Sequence, residues 1–573
     1  MTSNDQPPSP GWRPWRRAAP GWLLVAVLLA VGLPIFVRMP PWCDLTLYEL
    51  ASRMVMTGGV HYRDVFDTNL PGFVWSLVLV RRAFGSSVEA VRLVDLAIVF
   101  ACCALLARLA RRAGADRPAI AWFAVGAAAF YPFTTEFCHA QRDVWMLLPA
   151  LAALTLRLRE SERRRFALGV LEGLLWGTAV WFKPHVFFPI VGVWLATGRR
   201  DTLPNLLGGS LAGALGIAWL VRTGTWPHFV EVFTKWNPHY TEYLFTEIGW
   251  RAGSHWFHFA PWTYLQPLVV VLAIADLCRH RRWVAKLSRR WYLPAATESE
   301  ARIRRVLGAF YLGWLLQSFL LQRQFPYVHV PGTLIAFALF AAHRWAVVPA
   351  GLAFLAVSSG IAWACEENAV WRDRIDRVER VFPWVRLAVP RHALSVPERL
   401  ALWPACWHAL DAEAARRRQD QLGNYPEFFS AIAVEEAHEV AVWLRSRGAT
   451  AVDVICWHSS PHAVYLDLPG TPAFRFLHAD TPLIRDATYQ YMRAELLESA
   501  PRARYVVSDL CRTFVSAPPE RKDDWHSRSI ELPPGAKDVF PYDQPIVFRS
   551  DGGRGRYVVH ERTHPIDRVE YDP

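Results

Sequence analysis

Several things are missing from this sequence, and each absence closes a class. Its nine cysteines include no CxxC pair and no zinc-ligand spacing, so neither a zinc module nor a dithiol redox centre is in view. There is no glycine-rich phosphate loop and no nucleophile elbow, which removes the common nucleotide-binding and serine-hydrolase signatures. No internal repeat is visible. No nucleic-acid module accompanies the formal net charge of +12. Charge is itself scarce, at 20% of residues against 53% hydrophobic, and the cations sit in short loops between apolar runs. That is the positive-inside pattern of a membrane protein, not a groove for phosphodiesters.

What is present is apolar length. In a chain of 573 residues with 28 Trp and 41 Pro, the apolar residues concentrate before about residue 365, in runs long enough to cross a bilayer. After a polar, proline-rich and then basic tail over 1–20, runs fall at 21–37, 88–107, 119–135, 143–156, 167–182, 184–198, 205–222, 260–278, 306–321, 328–342 and 345–365. No small-residue cleavage site follows the first, so it reads as a retained helix rather than a signal. A single helix over 167–197 would measure about 46 Å at 1.5 Å per residue, too long for one span. Two spans turning at Lys183-Pro184-His185 keep the charge alternation intact. The apolar 72–80 is too short to cross and is expected to lie along the interface.

Basic loops at Arg108–Arg117, Arg157–Arg165 and Arg279–Arg305 alternate with loops poor in cations. The expected class is therefore a polytopic α-helical membrane protein of about eleven transmembrane helices. Its N-terminus is expected inside, its first loop (38–87) outside, and a C-terminal extracytoplasmic α/β domain is expected over 366–573. That last region holds a helical pattern at 435–448, then strand-like AVDVICW (451–457), RARYVVSDL, QPIVFRS and GRYVVHE. Cys43, Cys138, Cys365, Cys406, Cys456 and Cys511 would face outward, where a disulfide is compatible but cannot be paired from sequence.

The stretch Arg38–Trp75 emerges from the first span carrying Asp44, Glu49, Asp64 and Asp67, with Tyr48, Tyr62 and Asn69. Acids held beside a bilayer are functional candidates by default. Glu49 reads as an acid facing water, whereas Asp44 stands at the mouth of the span. Further outward turns hold Glu136, His139, Gln141, Arg142 and Asp143, then Lys183 and His185, then Gln322, Arg323, Gln324, Tyr327 and His329. Acids beside fixed cations at one membrane face suit a phosphate-bearing lipid: the cations neutralise developing charge, and a carboxylate takes a proton from an attacking hydroxyl. Blander readings stand beside these. Arg142 and Asp143 also read as a helix-end ion pair, Lys183 as a snorkelling lysine, and Tyr327 as an interfacial anchor.

The pattern Asp44-xxx-Tyr48-xx-Ala51, Gly58-Gly59, Tyr62-Arg63-Asp64 and Asp67-Thr-Asn-Leu-Pro71-Gly72 resembles the first outer loop of GT-C fold glycosyltransferases. These are polytopic enzymes using polyprenyl-phosphate sugars, related to the protein mannosyltransferase and aminoarabinose transferase group. The resemblance extends to Glu136-Phe-x-x-x-Gln141-Arg142-Asp143, Lys183-Pro184-His185 and Gln324-x-x-Tyr327-x-His329-x-Pro331, over roughly the first 340 residues. One departure is plain: Thr68-Asn69-Leu70-Pro71 stands where many aminoarabinose-type relatives have an acidic-Lys-Pro-Pro run.

The resemblance implies transfer of a sugar from a polyprenyl-phosphate donor to an extracytoplasmic glycan, lipid or protein, with inversion. It implies Asp44 as acceptor-binding group or base, with Asp64 and Asp143 as further catalytic acids. Tyr48, Tyr62, Asp67, Glu136, Gln141, Arg142, Lys183, His185, Arg323, Tyr327 and His329 would bind substrate. No cofactor is required; a divalent cation beside Asp44 is compatible with the reading, but the carboxylate spacing does not demand one. The competing class is a transporter or flippase for a lipid-linked glycan, using the same residues without bond chemistry; such proteins often carry paired repeats and midplane charges, neither of which stands out here. A third class is a non-catalytic assembly scaffold.

Overall fold

The computed structural model describes residues 13–159, 165–198, 201–238, 262–278, 297–322, 325–352, 396–408, 411–423, 431–477, 494–495, 503–510 and 540–563. Its elements begin with α1 (Arg13–Arg38), α2 (Cys43–Met56), α3 (Gly72–Phe84), α4 (Val88–Arg112), α5 (Arg117–Phe130), α6 (Arg142–Arg157) and α7 (Arg165–Phe182). They continue with α8 (Phe187–Thr197), α9 (Thr202–Arg222), α10 (Trp226–Glu231), α11 (Gln266–Leu277), α12 (Glu298–Leu321) and α13 (Val330–Ala342). A helix occupies each of the first ten expected spans. The eleventh, 345–365, lies outside the described residues beyond 352.

Among the described residues, three helical segments are long and apolar enough to cross a membrane: Ala18–Arg38, Val88–Arg112 and Thr202–Arg222. Shorter apolar helices cover Pro184–Thr197, Trp262–Leu277 and Pro326–Ala342. The chain is an integral membrane protein. The expected break at Lys183 is present: Lys183 is extended (φ −160°, ψ 122°), between the end of α7 and a short 3-10 turn at Pro184–Val186. Proline restricts the residue before it to extended backbone, so the helix stops there.

Helices in lipid associate through close packing, which small residues permit. Accordingly α7 packs along α9 through glycines, with Gly173 against the Asn205 backbone. Gly72, at the start of α3, is equally constrained. A Cβ there would come within 2.6 Å of the Trp181 carbonyl oxygen, so glycine lets the first loop close onto the end of α7.

The C-terminal region forms the expected α/β unit. It contains α14 (Val396–Cys406), α15 (Ala412–Leu422), α16 (Val434–Ser446), β1 (Val454–Cys456), β2 (Tyr505–Asp509), β3 (Ile546–Arg549) and β4 (Tyr557–Glu561). The sheet order is β1-β2-β4-β3. The pair β1–β2 is parallel, with Val454 opposite Tyr505, and the other pairs are antiparallel.

Side chains alternate across the sheet, as the strand period requires. Val454, Cys456, Tyr505 and Val507 join one core with α16. Ile455 and Val506 face the other way and pack with Tyr62, Phe66, Val232, Trp236, Phe474 and Phe476. The second face of the sheet is thus buried against the first loop, which places both at one end of the bundle.

One expectation changes here. Glu49 does not face water: it is buried, accepting from Arg81 Nε at 2.6 Å and Arg53 Nε at 2.9 Å. Two guanidinium groups pair with the buried carboxylate and offset the cost of taking it out of water. Among the described cysteines (43, 102, 103, 138, 278, 406 and 456) none is disulfide-bonded; Cys365 and Cys511 lie outside the described residues.

Candidate functional site

The helix α6 begins where the backbone makes a sharp turn, with Ala140 at φ +51°. Gln141 caps the turn by donating from Nε2 to the Phe137 carbonyl at 3.1 Å, and Arg142 and Asp143 form the first helical turn. Asp143 is buried and gains from the positive end of the helix dipole. It meets the break after α7: Lys183 Nζ donates to Asp143 Oδ2 at 2.9 Å and to Oδ1 at 3.1 Å.

The same ammonium donates to Gln322 Oε1, and Gln322 Nε2 in turn donates to Gln317. Lys183 also lies 5.8 Å from the Tyr327 ring centroid. Burial pushes its amine down to about 8, against the opposing pull of Asp143 and with Arg142 adding to the depression.

Arg142 is held differently. Its guanidinium sits 5.4 Å from the Tyr48 ring centroid, and its buried Nε makes no hydrogen bond. Tyr48 comes from α2 and is itself fixed, because Asn69 Nδ2 donates to its hydroxyl at 3.0 Å. Burial drives the Tyr48 phenol well above its ordinary value. It stays a neutral hydroxyl at physiological pH.

Asn69 is the knot of the loop. Its backbone N–H and Nδ2 both donate to Asp67 Oδ1, at 2.9 and 2.7 Å, and its carbonyl accepts from the Tyr62 hydroxyl at 2.6 Å. Tyr62 takes left-handed backbone, φ +68°, uncommon for a bulky residue and frequent where a site fixes the chain. Asp67 is buried, with Oδ2 lying 3.6 Å from His61 Nε2.

Asp44 sits in the first turn of α2, half-buried, and its charge is felt by both Tyr48 and Lys183. One cluster therefore gathers Asp44, Tyr48, Asp67, Arg142, Asp143, Lys183 and Tyr327 from four separate stretches of sequence. His185 follows in the same turn as Lys183, half-buried, with its Nδ1 making no hydrogen bond. His329 is buried on the edge of Phe319 at 5.3 Å.

Two residues lie aside. Glu136 is buried and its charge reaches Arg92, which donates to the Pro40 carbonyl. Asp64 serves its own turn, taking Arg63 Nε at 2.6 Å and the Val60 N–H at 2.7 Å. Arg323 lies outside the described residues.

Gln322, Gln317 and Asn69 were not singled out for the roles they take. Neutral amides carry no signal in composition, and only the quoted turns contained Gln322 and Asn69. Asp95 was findable, being a carboxylate inside the apolar run 88–107. It accepts from the Tyr131 hydroxyl at 2.6 Å and from Trp145 Nε1 at 2.8 Å, directly beneath the turn that launches α6.

Chemically, the cluster sets two cations and a half-buried carboxylate among aromatic rings, a setting that suits an anion. No protein-family model matches the chain, and no curated protein matches it. Among solved structures, it is similar to ArnT from Cupriavidus metallidurans, both bound to undecaprenyl phosphate and in the apo state. Each comparison gives 14% identity over 95% of this chain and 98% of that chain, with a TM-score of 0.46. A likeness of that strength assigns no activity.

Proposed function

We propose that the chain is a membrane glycosyltransferase that moves a sugar from a polyprenyl-phosphate donor to an extracytoplasmic acceptor. The observation that carries this reading is the pairing of Arg142, buried with an unbonded Nε, and Lys183, beside the half-buried Asp44. A guanidinium and an ammonium converging at low dielectric suit a phosphate that gains charge as it leaves. The motif order described above, with its resemblance to GT-C enzymes, points the same way.

In this reading the acceptor hydroxyl attacks the anomeric carbon from the face opposite the phosphate. Asp44 takes the hydroxyl proton as the new C–O bond forms. The sugar–phosphate C–O bond breaks, its electron pair stays on the phosphate oxygen, and the anomeric centre inverts. Arg142 and Lys183 hold that phosphate, while Asp143 and Gln322 aim the ammonium. Tyr48, Tyr62, Asp67, Tyr327, His185 and His329 line the substrate. In this reading the N-terminus is cytoplasmic and the α/β unit lies outside, an orientation that the distribution of basic loops supports.

The test is to incubate purified wild type and Asp44→Asn with a panel of polyprenyl-phosphate sugars and candidate acceptors, and to follow released polyprenyl phosphate by mass spectrometry. Wild-type release of lipid phosphate from one donor, lost in a variant that still binds it, supports the reading. Equal turnover by both proteins removes Asp44 as base. Binding without turnover across the panel would favour a lipid-linked glycan transporter.

A further inference from the structure

The α/β unit touches the site through one side chain whose role has not been described. His462 lies in the 3-10 turn Pro461–Leu466, directly after β1, and is fully buried. Its Nε2 is 3.1 Å from the carbonyl oxygen of Cys43. A carbonyl can only accept, so the imidazole carries its hydrogen on Nε2 and donates it. Cys43 is the first residue of α2, and Asp44 is the second. A side chain from 419 residues away in sequence therefore grips the peptide unit that joins Cys43 to the half-buried carboxylate.

The His462 turn is braced from behind by groups that are themselves satisfied. Asp509, at the end of β2, takes Arg556 through both carboxylate oxygens, at 2.9 Å from Nε on Oδ1 and through Nη2 on Oδ2. Ser460 also donates to Asp509, and His458 Nδ1 accepts the Asp509 N–H at 2.9 Å. Cys456 Sγ lies 3.3 Å from the Pro461 carbonyl.

These contacts tie residues 456–461 to the carboxyl ends of the parallel strands β1 and β2. The turn is thus bonded to the sheet as its extension. Further bonds join the same unit to the same loop: Arg53 Nη1 to the Leu466 carbonyl at 3.0 Å, Arg475 Nη1 to the Tyr62 carbonyl at 3.1 Å, and the Phe66 N–H to the Arg475 carbonyl at 2.9 Å. The loop carrying Asp44 and Asp67 is thus held along its length by the α/β unit.

We propose that His462 is a positioning residue for Asp44: by holding the Cys43 carbonyl it fixes the first turn of α2, so that the α/β unit completes the site rather than merely covering it. The inference rests on the reading of Asp44 as base. It follows from geometry that preorganised catalytic groups must keep, since a displacement of about 1 Å can lower a rate on the order of 100-fold.

The test uses the full chain in lipid nanodiscs, as wild type, His462→Ala and His462→Gln. Glutamine keeps an N–H donor at similar reach; alanine does not. Three readouts are taken: hydrogen exchange at the 43–48 amides, affinity for the polyprenyl-phosphate donor, and turnover. His462→Ala is expected to speed exchange at the start of α2 and to lower turnover roughly 10- to 100-fold while donor affinity stays within about threefold. His462→Gln is expected to restore both turnover and protection.

Unchanged exchange at 43–48 in His462→Ala overturns the proposal even if no donor is turned over by any of the three proteins. Unchanged turnover in His462→Ala overturns it while leaving the transferase reading intact. Loss of donor binding along with turnover, with no rescue by glutamine, marks a general folding defect and also overturns it. A wild type that is inactive across the panel, with exchange responding as expected, defeats the transferase reading and leaves the clamp on α2 standing.

Discussion

Arg81 and Arg142 both reach buried positions around the first loop, and they are used in opposite ways. Arg81 is bonded within the fold through Nε and Nη1. Its Nε donates to Glu49 at 2.6 Å, and its Nη1 donates to the Gly85 and Ser87 carbonyls at 3.0 and 2.7 Å. Arg142 stacks on Tyr48 with its Nε unbonded. Burying a guanidinium is costly unless its donors are met. The first pair closes a loop. In the proposed reading the second keeps a donor for a ligand.

The sharpest way to break that comparison is to remove each cation in turn. Arg142→Met should lower turnover by a factor on the order of 10²–10³ while the thermal midpoint hardly moves, because a transition-state anion loses its donor. Arg81→Met should do the reverse, costing about 1–3 kcal/mol of stability by leaving buried Glu49 Oε2 without its donor while Arg53 still pairs with Oε1, read as a fall in the thermal midpoint. If the two variants behave alike, the distinction between them fails.

Lys183 sharpens the comparison through pH. Its amine is held at about 8 by burial, below the ordinary lysine range. The cation proposed to bind phosphate is present below that pH and is lost as pH rises through it. The ratio kcat/KM, which reports the free enzyme, should therefore fall above about pH 8. In Lys183→Arg the alkaline fall should disappear, because guanidinium stays charged. A flat wild-type profile to pH 9.5 would count against a role for this ammonium.

Smaller effects are expected further out. Asn69→Ala removes the Nδ2 bonds to Asp67 Oδ1 and to the Tyr48 hydroxyl while the residue-69 N–H still reaches Asp67, and should lower turnover roughly tenfold, in line with about 1.5 kcal/mol for a hydrogen bond to a charged group. Asp64→Asn should change turnover by less than about twofold, since the Arg63–Asp64 pair is partly exposed and such pairs contribute little.

Much of the architecture was legible from periodicity, because apolar length and basic loops are direct consequences of bilayer physics. The α/β unit was equally legible: VVSDL and RYVVHE alternate as strands must, and they pair as β2 and β4. The gathering of Arg142, Asp143 and Lys183 could be anticipated only as a shared face; that Asp143 and Lys183 bond each other depends on the break at Pro184. Glu49 was misjudged because its partner Arg81 lies 32 residues away, on a helix whose docking no local pattern encodes. His462 was invisible for the same reason, since a lone histidine in a polar tail gives no hint that it bonds a carbonyl at the start of α2.

The most direct test of the central claim is binding of polyprenyl phosphate, compared with the uncharged polyprenol, to wild type and to Arg142→Met by native mass spectrometry. The account predicts that wild type retains the phosphate and not the alcohol, and that Arg142→Met loses this preference. Equal retention of both lipids by wild type, or an undiminished preference in Arg142→Met, would contradict it.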